Sequence, residues 1–545
     1  MDVPIANSIE GSPMNTGSVI CFAHDIPRHV SRGSTAMCAL RIRNTHDHPA
    51  HFQSHGSFYD STVVDMRHHL SVHVEDAFAR PVLVRNDCLG PGESSTLYFP
   101  FHATEVGEHR LQVMIADQHA DPVARTGAVL LDTQIRVTEA PVRTSPRDAI
   151  RHGLFALWHT ERPIRIAALR RSLYAMKLAC SGQATTARKA TLARYKACNR
   201  DLAFMEKQVR RERVGSLPCY LAIDTTSRCN LECKMCFRGF VDVDYNAIPD
   251  MPVELVDRLV EELFPTAFTL NLSTGGEPLM SPYIDKLLDA CVEHQVYLSI
   301  TTNGTVMRGD EFIRKLASVL HHIEISVDSV RPDRFKAFRS GASFEKVLRN
   351  ANKLGAIRRA TPEGGKFNLG FSMTLFRENL EEIPDVLRVI ADIGGNFLKA
   401  DIGVVFSKND LHQSVTTCPE LYNEMYAVVQ EQARAAGIKL MMRAPFSDTA
   451  ARPSKYGICD YLYVSACVRS EGTLSPCYFG PALLPLTGSF RSAWNSDAMR
   501  QLRNDHDSDR GHALCQTCYV FTDGGSSVEA RREQFLKGSA AVSTQ

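Results

Sequence analysis

Cys229-Asn-Leu-Glu-Cys233-Lys-Met-Cys236-Phe237 places three cysteines within eight residues, with three residues and then two between them. The stretch follows an apolar, β-like run, Tyr220-Leu-Ala-Ile223. Three thiolates this close can hold one soft metal centre. A tetrahedral structural zinc site takes four protein ligands. Three leave a coordination position open, which suits a catalytic iron–sulfur cluster. Free cysteine also serves as a small buried hydrophobe, but the tight spacing and the polar, charged flanks favour ligation.

Outward from this stretch the sequence alternates between β and α patterns. The strand Tyr220–Ile223 leads into the cysteines, and a helix over Val253–Phe264 carries Leu255, Leu259, Val260 and Leu263 on one side. A strand over Ala267–Leu272 ends in Ser273-Thr-Gly275-Gly276-Glu277-Pro278, and one over Val296–Thr301 ends in Thr302-Asn303-Gly304. A strand over Ile323–Val327 ends in Asp328; strands over Leu369–Leu375 and Phe397–Val405 follow, with helices between and a last helix over Pro419–Ala435. Six strands alternating with helices predict a parallel sheet, curved as a partial (β/α)6 barrel of the TIM type. In such folds chemistry sits at the C-terminal ends of the strands. The polar motifs fall at those ends, which is independent support for one active site.

Composition bounds the rest. With 545 residues, two to four domains are expected. Lys plus Arg is 62 against Asp plus Glu at 61, so no global basic field points to nucleic acid. No apolar run approaches the ~20 residues of a membrane span, and the N-terminus lacks the pattern of a signal peptide. The expected compartment is the cytoplasm, where the 16 cysteines stay reduced and clustered ones read as metal ligands.

Residues 1–140 read as all-β. Cys38–Ile42, Leu70–Val74, Leu97–Phe101 and Leu111–Ile115 alternate with period two, and Gly90-Pro-Gly-Glu-Ser94 marks a turn. Short strands at this spacing suggest a β-sandwich. Its histidines (His46, His48, His51, His55, His68, His69, His73) match no ligand spacing and read as loop and strand residues. Residues 141–215 are basic and Ala-rich, with apolar residues at helical spacing; a helical linker fits, and a membrane-surface helix is the other reading.

Five motifs together carry a resemblance. Cys229-x3-Cys233-x2-Cys236-Phe237, Gly275-Gly276-Glu277-Pro278, Asn303-Gly304, Ser326-x-Asp328 and Arg339-Ser-Gly-Ala-Ser-Phe344 resemble, in this order, those of radical S-adenosylmethionine (SAM) enzymes. The resemblance covers roughly 218–545, about three-fifths of the chain, with 216–445 as the catalytic core. It implies that the three thiolates ligate three irons of a [4Fe–4S] cluster, leaving the fourth for SAM. It implies that Gly275 and Gly276 let the backbone approach the methionine end of SAM, that Glu277 accepts from its ammonium, and that Ser326 and Arg339 contact ribose and carboxylate. Cleavage of SAM to a 5′-deoxyadenosyl radical, and hydrogen abstraction by it, is the implied chemistry. Met235 departs from the family, where an aromatic residue is common; Phe237 can still pack near the adenine.

The C-terminal region, 446–545, holds Cys459, Cys477, Cys515 and Cys518, spaced around Gly472 and Phe490–Leu502. It resembles the cysteine-rich SPASM extension of radical SAM enzymes, which houses auxiliary clusters. One auxiliary [4Fe–4S] centre is expected, two clusters in all. Cys467 is an alternative ligand that the alternating run before it assigns to packing. A zinc ribbon is the competing occupant. The segment Leu89–Leu111 weakly resembles the immunoglobulin-like carbohydrate-binding module of O-antigen exporter ATPases. The implied activity is radical oxidation of a peptide or protein, fed by a reductant such as flavodoxin or ferredoxin. The alternatives are a glycan or small-metabolite substrate for the same chemistry, and a non-catalytic iron–sulfur carrier or scaffold.

Overall fold

The computed structural model describes strand segments between residues 19 and 138, residues 162–180, and residues 186–505 except 274, 363–366, 407, 444, 447–458 and 478–481. The chain forms two compact units, Met1–Leu217 and Pro218–Gln545.

Among the described residues the first unit contains two sheets. One has the order Val19–Asp25, Thr35–Asn44, Ser94–His102, Val82–Leu83. The other runs His29–Ser31, Ala128–Thr138, Gly107–Asp117, His68–Val74, Ala50–Gln53, Cys88–Leu89. All four alternating segments of the sequence lie in these strands. Helices Arg162–Ala179 and Thr186–Gln208 follow, packed through Ile164, Ala167, Leu202 and Met205.

The second unit is built on one ten-stranded sheet. Its strands are β1 (Tyr220–Ile223), β2 (Thr269–Asn271), β3 (Tyr297–Thr302), β4 (Leu320–Ser326), β5 (Asn368–Leu375), β6 (Phe397–Ile402), β7 (Lys439–Met442), β8 (Ser465–Val468), β9 (Thr473–Ser475) and β10 (Leu484–Pro485). Their order is β7-β6-β5-β4-β3-β2-β1-β8-β9-β10, parallel from β7 to β8 and antiparallel beyond. This is a partial α/β barrel with a mostly parallel sheet.

Helices α1 (Val253–Leu263), α2 (Ile284–His294), α3 (Gly309–Ala317), α4 (Pro332–Phe338), α5 (Phe344–Ala360), α6 (Ile383–Ile393) and α7 (Pro419–Ala435) are interleaved with these strands. The amphipathic pattern of α1 explains its place: Leu255, Val256, Leu259 and Leu263 are buried. Pleating then divides the strands. Ile323 and Ile325 of β4, Leu369, Phe371 and Met373 of β5, and Leu398 and Ala400 of β6 are buried apolar residues. The alternate set is polar: Ser299 and Thr301, His322, Glu324 and Ser326, Ser372 and Thr374, Lys399 and Asp401. Ile325 lies near the helix face, where its side chain and that of Val347 in α5 crowd the same point. The polar set therefore forms the inner face.

Four strands, β7 to β10, lie outside the six expected. β7 follows Gly437 and pairs with β6. β8, in the stretch assigned to a separate C-terminal region, pairs in parallel with β1. Strands β8 to β10 thus continue the barrel sheet. Ser470 bonds Ser227 at 2.8 Å between hydroxyls, and Glu262 of α1 accepts from the Phe490 amide at 2.7 Å.

Candidate active site

One cleft of about 660 Å³ opens where β1 to β4 end, within the usual ~300–1,000 Å³ of small-molecule sites. Cys229, Cys233, Cys236, Phe237, Gly275, Gly276, Glu277, Asn303, Ser326 and Arg339 all line it. Residues up to 110 apart in the chain therefore meet: most follow or end a parallel strand, and Arg339 is brought in by its antiparallel bridge to Cys233. Pro278 and Asp328 lie behind the wall and are buried.

The cysteine loop is fixed by its neighbours. The Cys229 amide donates to Asn246 Oδ1 at 3.0 Å, and Arg238 donates to the same oxygen at 3.1 Å. Arg238 also lies over the Tyr245 ring, whose edge meets Phe237 at 5.6 Å between centroids. Glu232–Cys233 pairs antiparallel with Arg339–Ser340, and the Lys234 amide donates to the Phe338 carbonyl at 2.9 Å. Burial raises the thiol of Cys229, and pushes that of Cys233 up to about 11 against the pull of Arg339.

Glu277 is a clamp. Its carboxylate accepts from Thr302 Oγ1 at 2.6 Å, the Asn303 amide at 2.7 Å and the Leu279 amide at 3.2 Å. Burial still pushes its carboxyl above the ordinary range. Asn303 is equally engaged: its Nδ2 donates to Asn230 Oδ1 at 2.9 Å, and its Oδ1 accepts from the Thr305 amide and hydroxyl. Gly276 is needed by the protein itself, since a Cβ there would stand 2.5 Å from the Arg228 carbonyl oxygen. At Gly275 the nearest atom to such a Cβ is an Asp224 carboxylate oxygen at 3.3 Å. Arg339 pairs with Asp328 at 2.6 Å.

Below the cleft lies an ionic group. Glu324 accepts from Thr301 Oγ1 at 3.2 Å, a cleft-lining residue. It also meets His322 at 3.0 Å and Lys399 at 3.4 Å. His322 stacks on Phe397 at 4.3 Å across β5. Gly370 of β5 makes room, because a Cβ there would lie 2.7 Å from the Phe397 ring.

Residues 223–390 match the Radical SAM superfamily. Over these residues the chain carries a radical SAM domain. Three relatives show the breadth of the superfamily. A tungsten-containing aldehyde ferredoxin oxidoreductase cofactor-modifying protein of Pyrococcus furiosus is 24% identical over 268 residues, 48% of this chain and 70% of that protein. A GTP 3′,8-cyclase of Listeria monocytogenes is 29% identical over 191 residues, 34% of this chain and 54% of the cyclase. The antilisterial bacteriocin subtilosin biosynthesis protein AlbA of Bacillus subtilis is 26% identical over 180 residues, 33% of this chain and 38% of AlbA. The chain thus spans about half the length of the cyclase.

A radical SAM domain implies a [4Fe–4S] cluster and SAM. The cleft fits them: three thiols from one loop open into a space with Gly275, Gly276 and Ser326 on its wall. Among the described residues no three His, Cys, Asp or Glu side chains converge on one metal ion. A cubane has no such need, since each thiolate meets a different iron. Cys459 precedes β8 and Cys477 follows β9 in the chain, both half-buried; Cys467 is buried within β8, and Cys515 and Cys518 lie outside the described residues. The sequence reading missed Asn230, Asn246, Arg238 and Glu324. The first three sit within about ten residues of the cysteines, which was the available signal; nothing local marked Glu324.

Proposed function

We propose that residues 218–545 form a radical SAM oxidoreductase with a SPASM-type C-terminal region, and that it abstracts hydrogen from a peptide or protein. The observation that carries this is the single cleft that gathers the three cysteines with Gly275, Gly276, Glu277, Asn303, Ser326 and Arg339. Cys229, Cys233 and Cys236 would hold the cluster, and the glycine-lined wall would receive SAM. When bound, the pair supplies one-electron cleavage of the sulfonium and a radical able to take hydrogen from an unactivated carbon. The chain orients and shields. Glu277 ties the end of β2 to the end of β3, Asn303 ties that end to the cysteine loop through Asn230, and Phe237 and Tyr245 form an apolar wall. Cys459, Cys477, Cys515 and Cys518 would hold one auxiliary cluster, with Cys467 the alternative; its inner, buried place beside Ala222 suits packing. A flavodoxin- or ferredoxin-like reductant would deliver electrons.

Two observations favour a peptide. A small cavity of about 80 Å³ adjoins the cleft, lined by Met235, Phe240, Phe338, Phe376, Val405 and Phe406. Its rim carries Lys234, Glu378 and Asp410. An apolar pocket with a charged rim suits one apolar side chain held beside a polar backbone. The relative named for bacteriocin biosynthesis points the same way. The test is isotopic. Candidate precursor peptides from neighbouring genes, deuterated at apolar residues, should pass deuterium into 5′-deoxyadenosine. If a cluster-loaded enzyme takes deuterium from a labelled glycan and from none of the peptides, the peptide reading fails.

A further inference from the structure

The helix Arg162–Ala179 has two apolar faces, and the first unit uses one of them. Ile164 and Ala167 are buried against Leu202 and Met205 of the helix Thr186–Gln208. Arg171 turns to the same side, where its Nε donates to Asn199 Oδ1 at 2.8 Å and its guanidinium covers the Tyr195 ring at 5.4 Å. At about 100° per residue these positions span roughly 60° of the helix surface. On the opposite side Ile166, Leu169, Leu173 and Met176 are 37%, 71%, 44% and 59% exposed. Their spacing of three, four and three residues confines them to a stripe roughly 80° wide. Arg165 flanks the stripe on one side, and Arg170 and Lys177 on the other, all exposed. The helix sequence contains no acidic residue.

We propose that this face docks on an anionic membrane surface. Charge decides between the two occupants that an apolar helical stripe invites. Pairing with the same helix of a second copy would set cations against cations on both edges, with no carboxylate on either helix to meet them. An anionic bilayer complements both parts. The four apolar side chains enter the boundary between headgroups and acyl chains, while Arg165, Arg170 and Lys177 extend to the phosphates. The helix lies along the surface; among the described residues no helix is long and apolar enough to cross a membrane.

The experiment is vesicle co-sedimentation of the full chain. It should bind vesicles containing phosphatidylglycerol and not vesicles of phosphatidylcholine alone. Binding should weaken as salt rises from about 0.1 M to 1 M, where the screening length falls from about 10 Å to 3 Å. The double variant Leu169→Glu/Leu173→Glu should bind at least about tenfold less, and Arg170→Glu/Lys177→Glu should lose the preference for phosphatidylglycerol. Both pairs are exposed, so circular dichroism should show the fold unchanged. The proposal is overturned if the intact chain ignores phosphatidylglycerol vesicles, or if binding survives Leu169→Glu/Leu173→Glu. It is equally overturned if sedimentation shows a dimer that the same double variant separates, with no vesicle binding.

Discussion

Arg339 and Cys233 face each other across a two-residue antiparallel bridge, with Arg339 Nη1 3.7 Å from the Cys233 sulfur. Asp328, whose carboxylate accepts from the Thr374 amide at 2.8 Å, holds the same guanidinium. The arrangement links the end of β4 and β5 to the cysteine loop. It also sets a buried cation beside a sulfur proposed to ligate iron.

A cation at that distance stabilises the more negative, reduced state of a cluster. Arg339→Leu should therefore lower the reduction potential of the SAM-binding cluster, and Arg339→Lys should lower it less. A redox titration followed by electron paramagnetic resonance reads this. An unchanged potential with a raised KM for SAM would instead assign Arg339 to the SAM carboxylate.

Gly275 and Gly276 should separate. A Cβ at Gly276 must displace the Ser227–Arg228 backbone, at 2.5–3.0 Å, just before Cys229. Gly276→Ala should destabilise even the cluster-free chain by about 1–3 kcal/mol. Gly275→Ala meets only a side-chain oxygen at 3.3 Å and should unfold near the parent midpoint while weakening SAM binding. Denaturant titration and equilibrium SAM binding distinguish the two.

The partial barrel was legible because its helices alternate with apolar strands and its polar motifs recur at strand ends. Pro419–Ala435 is a helix as read, and the six expected strands are present. β7 was missed because Lys439-Leu-Met-Met442 is too short and even in pattern to show a period. β8 was seen as an alternating run, but its partner β1 lies more than 240 residues earlier, and pairing at that separation leaves no local trace. The same limit applies within the site. The family resemblance implied Glu277 as a SAM contact; only the fold shows three protein donors already on its carboxylate. The clamp depends on how β2 and β3 align, which no motif records.

Glu277→Gln tests that clamp. A carboxamide has one acceptor oxygen, so it cannot serve both the Asn303 and the Leu279 amides, which meet different oxygens of the carboxylate. The loss should cost about 2–4 kcal/mol of unfolding free energy. It should also reduce SAM cleavage, since Asn303 and the cysteine loop would lose their shared anchor. Full stability in the variant would contradict a structural role.

Acid should act through Glu324. Burial works against its charge, but Lys399, His322 and Thr301 outweigh it and bring its carboxyl down to about 2 from an ordinary 4.5. A depressed carboxylate stabilises the fold fully above its unfolded value and loses that contribution as pH falls through its folded value. The window is therefore about pH 4.5 down to 2. The share at stake is on the order of 3 kcal/mol. Glu324→Gln should flatten this part of the stability profile in the cluster-free chain, measured by urea unfolding at several pH values. An unchanged slope would remove Glu324 from the acid response.

The most direct test of the central claim is anaerobic. The chain, loaded with iron and sulfide, is mixed with SAM and dithionite, and 5′-deoxyadenosine is measured by mass spectrometry. The proposed site predicts that the intact chain forms it. It predicts that Cys233→Ala abolishes it while iron remains bound at the auxiliary cysteines. No 5′-deoxyadenosine from a chain whose iron and sulfide content shows the SAM-binding cluster in place would contradict the account.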